Sequence, residues 1–160
     1  MAKKVLIAYY SFGETPKVAQ KLKQLFLSKD FSVVERNIRL SKEIEPKKQF
    51  KKEKELVLKE PTKPVSGFDL VVIGTPVVSF SSVPAVNVFI RSIPEPKKNN
   101  FVLFATGIGL PGKAVKKMQG LLSMKGATVI DSQTFSSIFE FDAKKLLETE
   151  KFFERFIKKV

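Results

Sequence analysis

Apolar runs and segments of helical period alternate along this chain from its first residues. KVLIAYY at 4–10 is an almost unbroken apolar run, PKVAQKLKQLFLSKD at 16–30 repeats apolar side chains at Val18, Leu22, Leu25 and Phe26, and FSVVERNI at 31–38 returns to strand character. The pattern predicts β, α, β. Pro16 suits the first turn of the helix, with Lys17, Lys21 and Lys23 off the apolar stripe. FDLVVIGT at 68–75 and NFVLFATG at 100–107 are continuous apolar runs, as expected of parallel strands covered on both faces. Between them Pro84 opens a short helix, AVNVFIRSI, and after them KAVKKMQGLLSMKG forms a helix closed by Gly126. ATVIDS at 127–132 reads as a fifth strand. Asp142 is placed to cap a last helix whose stripe of Leu146, Phe153, Phe156, Ile157 and Val160 belongs in the core.

Five alternations imply one α/β domain spanning 1–160, a doubly wound parallel sheet with helices on both faces and right-handed crossovers. Residues 42–64 differ in texture, with eight lysines and five glutamates, and read as the second crossover, a short solvated helix with loops. In such a sheet ligands bind beyond the carboxyl ends of the strands, where the strand order reverses. Three segments must meet there: SFGETPK at 11–17, TPVVSFSSVPA at 75–85 and TGIGLPG at 106–112. The first is small and hydroxyl-rich and runs into a helix, so its amides and the helix dipole suit a phosphate. Ser11 and Thr15 can donate hydroxyl hydrogens and Gly13 lets the backbone turn; capping and turning alone would also explain these residues.

IAYYS with GETPKVAQKL, FDLVVIGTPV with SVPAV, and FVLFATG together resemble the flavodoxin-like family, over nearly the whole chain. The resemblance implies a five-stranded sheet of order 2-1-3-4-5 and FMN as cofactor. It places Ser11, Phe12, Gly13, Glu14 and Thr15 around the phosphate, with Thr75, Pro76, Val77, Val78 and Phe80, and Thr106, Gly107 and Gly109, beside the flavin ring. The family's first loop usually runs Ser, any residue, Thr, Gly, Asn or Gln, Thr, and SFGET is one residue shorter. Phe12 is bulky within it. Glu14 brings a like charge toward a phosphate, a repulsion of about 4 kcal/mol at 4 Å and an effective dielectric of 20, so its carboxylate is expected to point outward. Phe80 is the nearest aromatic substitute for the tryptophan or tyrosine that often stacks on the ring.

Composition narrows the chemistry. The chain has no cysteine, histidine or tryptophan, which excludes thiolate nucleophiles, imidazole bases, Cys/His zinc sites and Ser/His/Asp triads. No residue is expected to act as a catalytic acid or base and no metal is expected. Lys and Arg exceed Asp and Glu by 29 to 16, a formal charge of +13. Such a field attracts phosphates and acidic proteins, so the expected partner is an acidic redox protein, with nucleic acid not expected. The apolar runs are far shorter than the ~20 residues of a membrane helix, which implies a cytoplasmic location.

The leading expectation is therefore an FMN-binding protein in electron transfer, a carrier rather than a stand-alone oxidoreductase. The alternatives are a flavin-free relative that binds a partner, or an NAD(P)H-dependent flavin or quinone reductase. Gly107, Gly109 and Gly112 do spell GxGxxG, with Asp131 ending the next strand. That dinucleotide fingerprint normally opens a domain, however, and too little chain follows it here. An acidic pair closing the first strand, as a receiver domain needs, is missing, as is the GKS or GKT of a P-loop.

Overall fold

The computed structural model describes residues 2–109, 112–137 and 143–160. Five parallel strands form the sheet: β1 (Lys4–Tyr9), β2 (Ser32–Asn37), β3 (Leu70–Val78), β5 (Asn100–Ile108) and β6 (Thr128–Ser137). Their spatial order is β2-β1-β3-β5-β6, and the two-residue β4 (Ser81–Ser82) pairs antiparallel with the end of β3. With that small hairpin set aside, the order is the expected 2-1-3-4-5. The register runs Val5↔Val33 and Ile7↔Val72 on either side of β1, then Ile73↔Leu103 and Phe104↔Gln133.

Side-chain alternation divides the core into two layers, because successive residues of a strand face opposite sides. Leu6, Ala8, Val71, Ile73, Phe101 and Leu103 pack under α3 (Pro84–Ser92) and α4 (Ala114–Met124). Val5, Ile7, Tyr9, Val72, Val102 and Phe104 pack under α1 (Thr15–Ser28) and α5 (Ala143–Ile157). The second layer is unusually aromatic: Phe26 meets Phe153 edge-on at 5.0 Å between centroids, and Phe152 meets Phe156 at 4.9 Å. Such pairs add about 0.5–1.5 kcal/mol each beyond the area they bury. One cross-strand fit is steric. Gly74 lies opposite Phe104, whose ring fills the place a side chain at 74 would take.

Several expectations are revised. β3 continues past Thr75 to Val78, because its ladder with β5 runs to Pro76↔Thr106 and the antiparallel pairs Val77↔Ser82 and Val78↔Ser81 follow. β6 extends to Ser137 rather than ending at 132, with a bulge opposite Phe101/Val102. In α5, Leu146 is 36% exposed and Phe152 is fully buried, so the apolar stripe is rotated from the one read in sequence. The expected cap, Asp142, lies outside the described residues. The lysine-rich crossover holds α2 (Pro46–Gln49) and a 3-10 turn (Phe50–Glu55), but it is not solvated throughout, since Gln49 and Leu56 are buried. Among the described residues no helix is long and apolar enough to cross a membrane.

Candidate functional site

The three segments expected to meet do so at the carboxyl edge of the sheet. The first is tied to the third by Thr15 Oγ1 and Thr106 Oγ1, 2.8 Å apart and buried. The second is tied to the third twice. Lys113 N donates to Phe80 O at 2.7 Å, and Val77 Cβ lies 3.1 Å from where a side chain at Gly107 would begin. Gly112, with φ +66, approaches Phe80 so closely that a Cβ there would sit 2.6 Å from the Phe80 carbonyl oxygen. Two of the three fingerprint glycines thus allow close contact with the second loop, and Gly107 itself stands within β5 rather than in a loop.

The first loop leaves β1 at Tyr10, whose amide donates to Gly74 O, and turns at Gly13 with φ +58. Pro16 has no amide hydrogen, and the first turn of α1 closes through Thr15 N to Phe12 O and Lys17 N to Glu14 O. The amides of Ser11, Phe12, Gly13 and Glu14 have no acceptor among the described residues. Four successive unpartnered donors thus stand at the positive end of a 14-residue helix. Glu14 makes no capping bond. Its Oε2, shielded from solvent, lies 2.9 Å from Lys17 Nζ. The carboxylate expected to point outward is instead folded back onto a lysine one turn along.

The second loop is a tight hairpin. Ser79 and Phe80 both have positive φ, 50° and 63°, the two-residue turn whose twist matches a β-hairpin. Neither residue is one that adopts this conformation freely, so the turn is strained and is held by the bonds around it. Thr75 supplies part of that support: its buried hydroxyl donates to Pro76 O at 2.9 Å and accepts from Val83 N at 3.1 Å. Thr15, Thr75 and Thr106 are therefore internal braces of the loops. Exposure falls instead on Phe12 at 49% and Phe80 at 64% in the first two loops and on Ile108 at 69%, the last residue of β5. Val77 and Val78 lie in the strand, and Gly109 has φ +87 and open space around it.

One support was not visible in sequence. Gln49, fully buried in the charged crossover, donates from Nε2 to Tyr10 Oη at 3.1 Å and to Ile44 O at 2.8 Å. Its Oε1 accepts from Ala85 N at 3.0 Å, in the first turn of α3. It links the first loop to the helix behind the second. Its only signal in the sequence is an uncharged polar residue inside a run of lysines. Burial raises the Tyr10 phenol pKa, and the hydrogen bond from Gln49 opposes that rise.

No family model matches this chain, and no curated protein matches it. Solved structures do. A flavodoxin 2 from Bacillus cereus superposes with a TM-score of 0.71 at 18% identity, over 98% of this chain and 99% of that one. A flavodoxin from the domain Archaea gives 0.67 at 15% identity, covering 98% and 97%. A flavoprotein from Lactobacillus acidophilus NCFM, solved in complex with FMN, gives 0.65 at 23% identity, covering 94% and 99%. At these identities the likeness is one of fold. The chain has the flavodoxin-like fold over nearly its whole length.

Proposed function

We propose that the protein binds FMN at the carboxyl edge of its sheet and serves in electron transfer. The observation that carries this reading is the run of unpartnered amides at 11–14, in the same loop cluster as exposed Phe12, Phe80 and Ile108. An anion and a flat apolar ring are the two things such a surface takes up with least rearrangement. The amides of Ser11, Phe12, Gly13 and Glu14 and the Ser11 hydroxyl would hold the phosphate. Pairing with Lys17 neutralises Glu14, the acidic side chain of that loop. Phe80 and Ile108 would cover the ring, with backbone groups of 75–80 and 106–109 at its edge. Bound FMN supplies the redox chemistry, accepting and releasing electrons. The chain's part is to position it, shield one face from water and set the surrounding potential. The formal charge of +13 favours the phosphate and an acidic partner protein.

Addition of FMN to the purified protein tests the reading. One-to-one quenching of flavin fluorescence and a yellow protein after gel filtration are expected. Gly13→Val, which forces a β-branched side chain into φ +58, should weaken binding by disturbing the four amides. A colourless protein that leaves FMN fluorescence unchanged would overturn the proposal. The fold would then serve partner binding alone.

A further inference from the structure

Beyond the loop cluster, on the other side of β1, the carboxyl ends of β1 and β2 border an open cavity of about 300 Å³. Tyr10, Ser11, Asn37, Arg39 and Glu43 line it together with the aliphatic Ile38 and Leu40. Ser11 belongs to both places, so whatever occupies the cavity adjoins the amides of 11–14. The polar groups here are free to receive a ligand. Among the described residues the side chains of Ser11, Asn37, Arg39 and Glu43 make no hydrogen bond or ion pair within the protein. Tyr10 Oη accepts from Gln49 and keeps its own hydrogen to donate. An arginine without a carboxylate partner keeps its guanidinium donors available for a phosphate.

The mixture of groups narrows the ligand. A bare anion would use Arg39 and the donors but would be repelled by Glu43. A purely apolar ligand would leave five polar side chains desolvated, at a cost for each. A phosphate-bearing nucleoside matches the set: the Arg39 guanidinium, the Asn37 carboxamide and the Tyr10 hydroxyl for the phosphate, the Glu43 carboxylate for a ribose diol or an exocyclic amine, and the half-buried Tyr10 ring beside the base. We propose that this cavity is a second binding site, for a nucleoside monophosphate group. Two sources share that chemistry, the adenylate half of FAD and a free nucleotide. The first rests on the flavin reading above, since it requires the flavin phosphate at 11–14; the second does not.

Binding of FMN, FAD and AMP to the wild-type protein and to Arg39→Gln separates the cases. Arg39 is exposed, so its replacement leaves folding intact. If FAD is the source, it binds at least about tenfold more tightly than FMN, about 1.4 kcal/mol. Arg39→Gln then removes that preference without changing the affinity for FMN. If a free nucleotide is the source, AMP binds the FMN-loaded protein and Arg39→Gln weakens it by about tenfold. Equal binding of FMN and FAD, with no AMP bound to the FMN-loaded protein, overturns the second site and leaves the flavin reading standing. An equal loss of FMN and FAD affinity in Arg39→Gln also overturns it, because the cavity would then be part of the FMN site. If neither flavin binds, the flavin reading fails. AMP binding that depends on Arg39 would still support the cavity, and its absence would overturn that as well.

Discussion

Replacing Gly74 with alanine tests the cross-strand fit that carries the second and third loops. A Cβ at 74 would lie 2.1, 2.5 and 2.6 Å from Cζ, Cε1 and Cε2 of Phe104, where ordinary contact begins at 3.4 Å. The ring must withdraw by roughly 1.3 Å, from 2.1 to 3.4 Å. It has little room to do so, because Phe104 is fully buried in the layer that also holds Phe135, Phe152 and Phe156. Overpacking of this kind costs about 1–3 kcal/mol. For a chain of this size each kcal/mol lowers Tm by about 2–4 °C, so a fall of roughly 2–12 °C is expected. Urea denaturation followed by circular dichroism gives the free energy, and thermal melts give the shift. Phe104→Leu supplies the control. Alone it leaves a cavity and destabilises; combined with Gly74→Ala it makes room for the new methyl group. The double variant should therefore be more stable than the sum of the two single losses, by at least about 1 kcal/mol. If Gly74→Ala is neutral, or if the two changes simply add, the ring does not occupy the space assigned to it.

Other consequences follow from the supports of the site and from the charge. Gln49→Leu leaves the Ala85 amide buried without its acceptor, which costs about 1–3 kcal/mol; an unchanged urea midpoint would show that Gln49 braces nothing. Glu35 has its pKa lowered, chiefly by the hydrogen bond from the Tyr9 hydroxyl at 2.6 Å, against burial and with help from Lys23 and Gln20. A carboxylate lowered in the folded state contributes stability above the ordinary glutamate value and loses it as pH falls through the folded-state value. Glu35→Gln should accordingly flatten the acid limb of the stability profile, and a limb as steep as that of the wild type would contradict the assignment. The basic surface should make the potential of bound flavin less negative than in acidic flavodoxins, a difference read by titration against redox dyes; a more negative value would count against it. Association with an acidic electron donor should weaken between low and high salt, and salt-independent rates would exclude electrostatic recruitment.

Hydrophobic patterning determined most of the architecture. Runs such as LVVIG and FVLFA are short, have no polar face and are bounded by turn residues, which marks them as strands buried on both sides, and the apolar stripe of α1 marks the face it turns to the sheet. Chain order and right-handed crossovers then placed the ends of β1, β3 and β5 together, which is why the three loops were identifiable from residue types alone. Tertiary contact decided what each residue in those loops does. A threonine that reads as a phosphate donor can equally brace a neighbouring loop, as Thr15 and Thr106 do, because one hydroxyl serves either purpose. The rotation of α5 that buries Phe152 and exposes Leu146, the inward turn of Gln49 and the pairing of Glu14 with Lys17 were likewise settled in three dimensions. Sequence spacing sets which side chains share a face. The partners that satisfy a buried polar group are far apart in the chain, and only the folded backbone brings them within hydrogen-bonding distance.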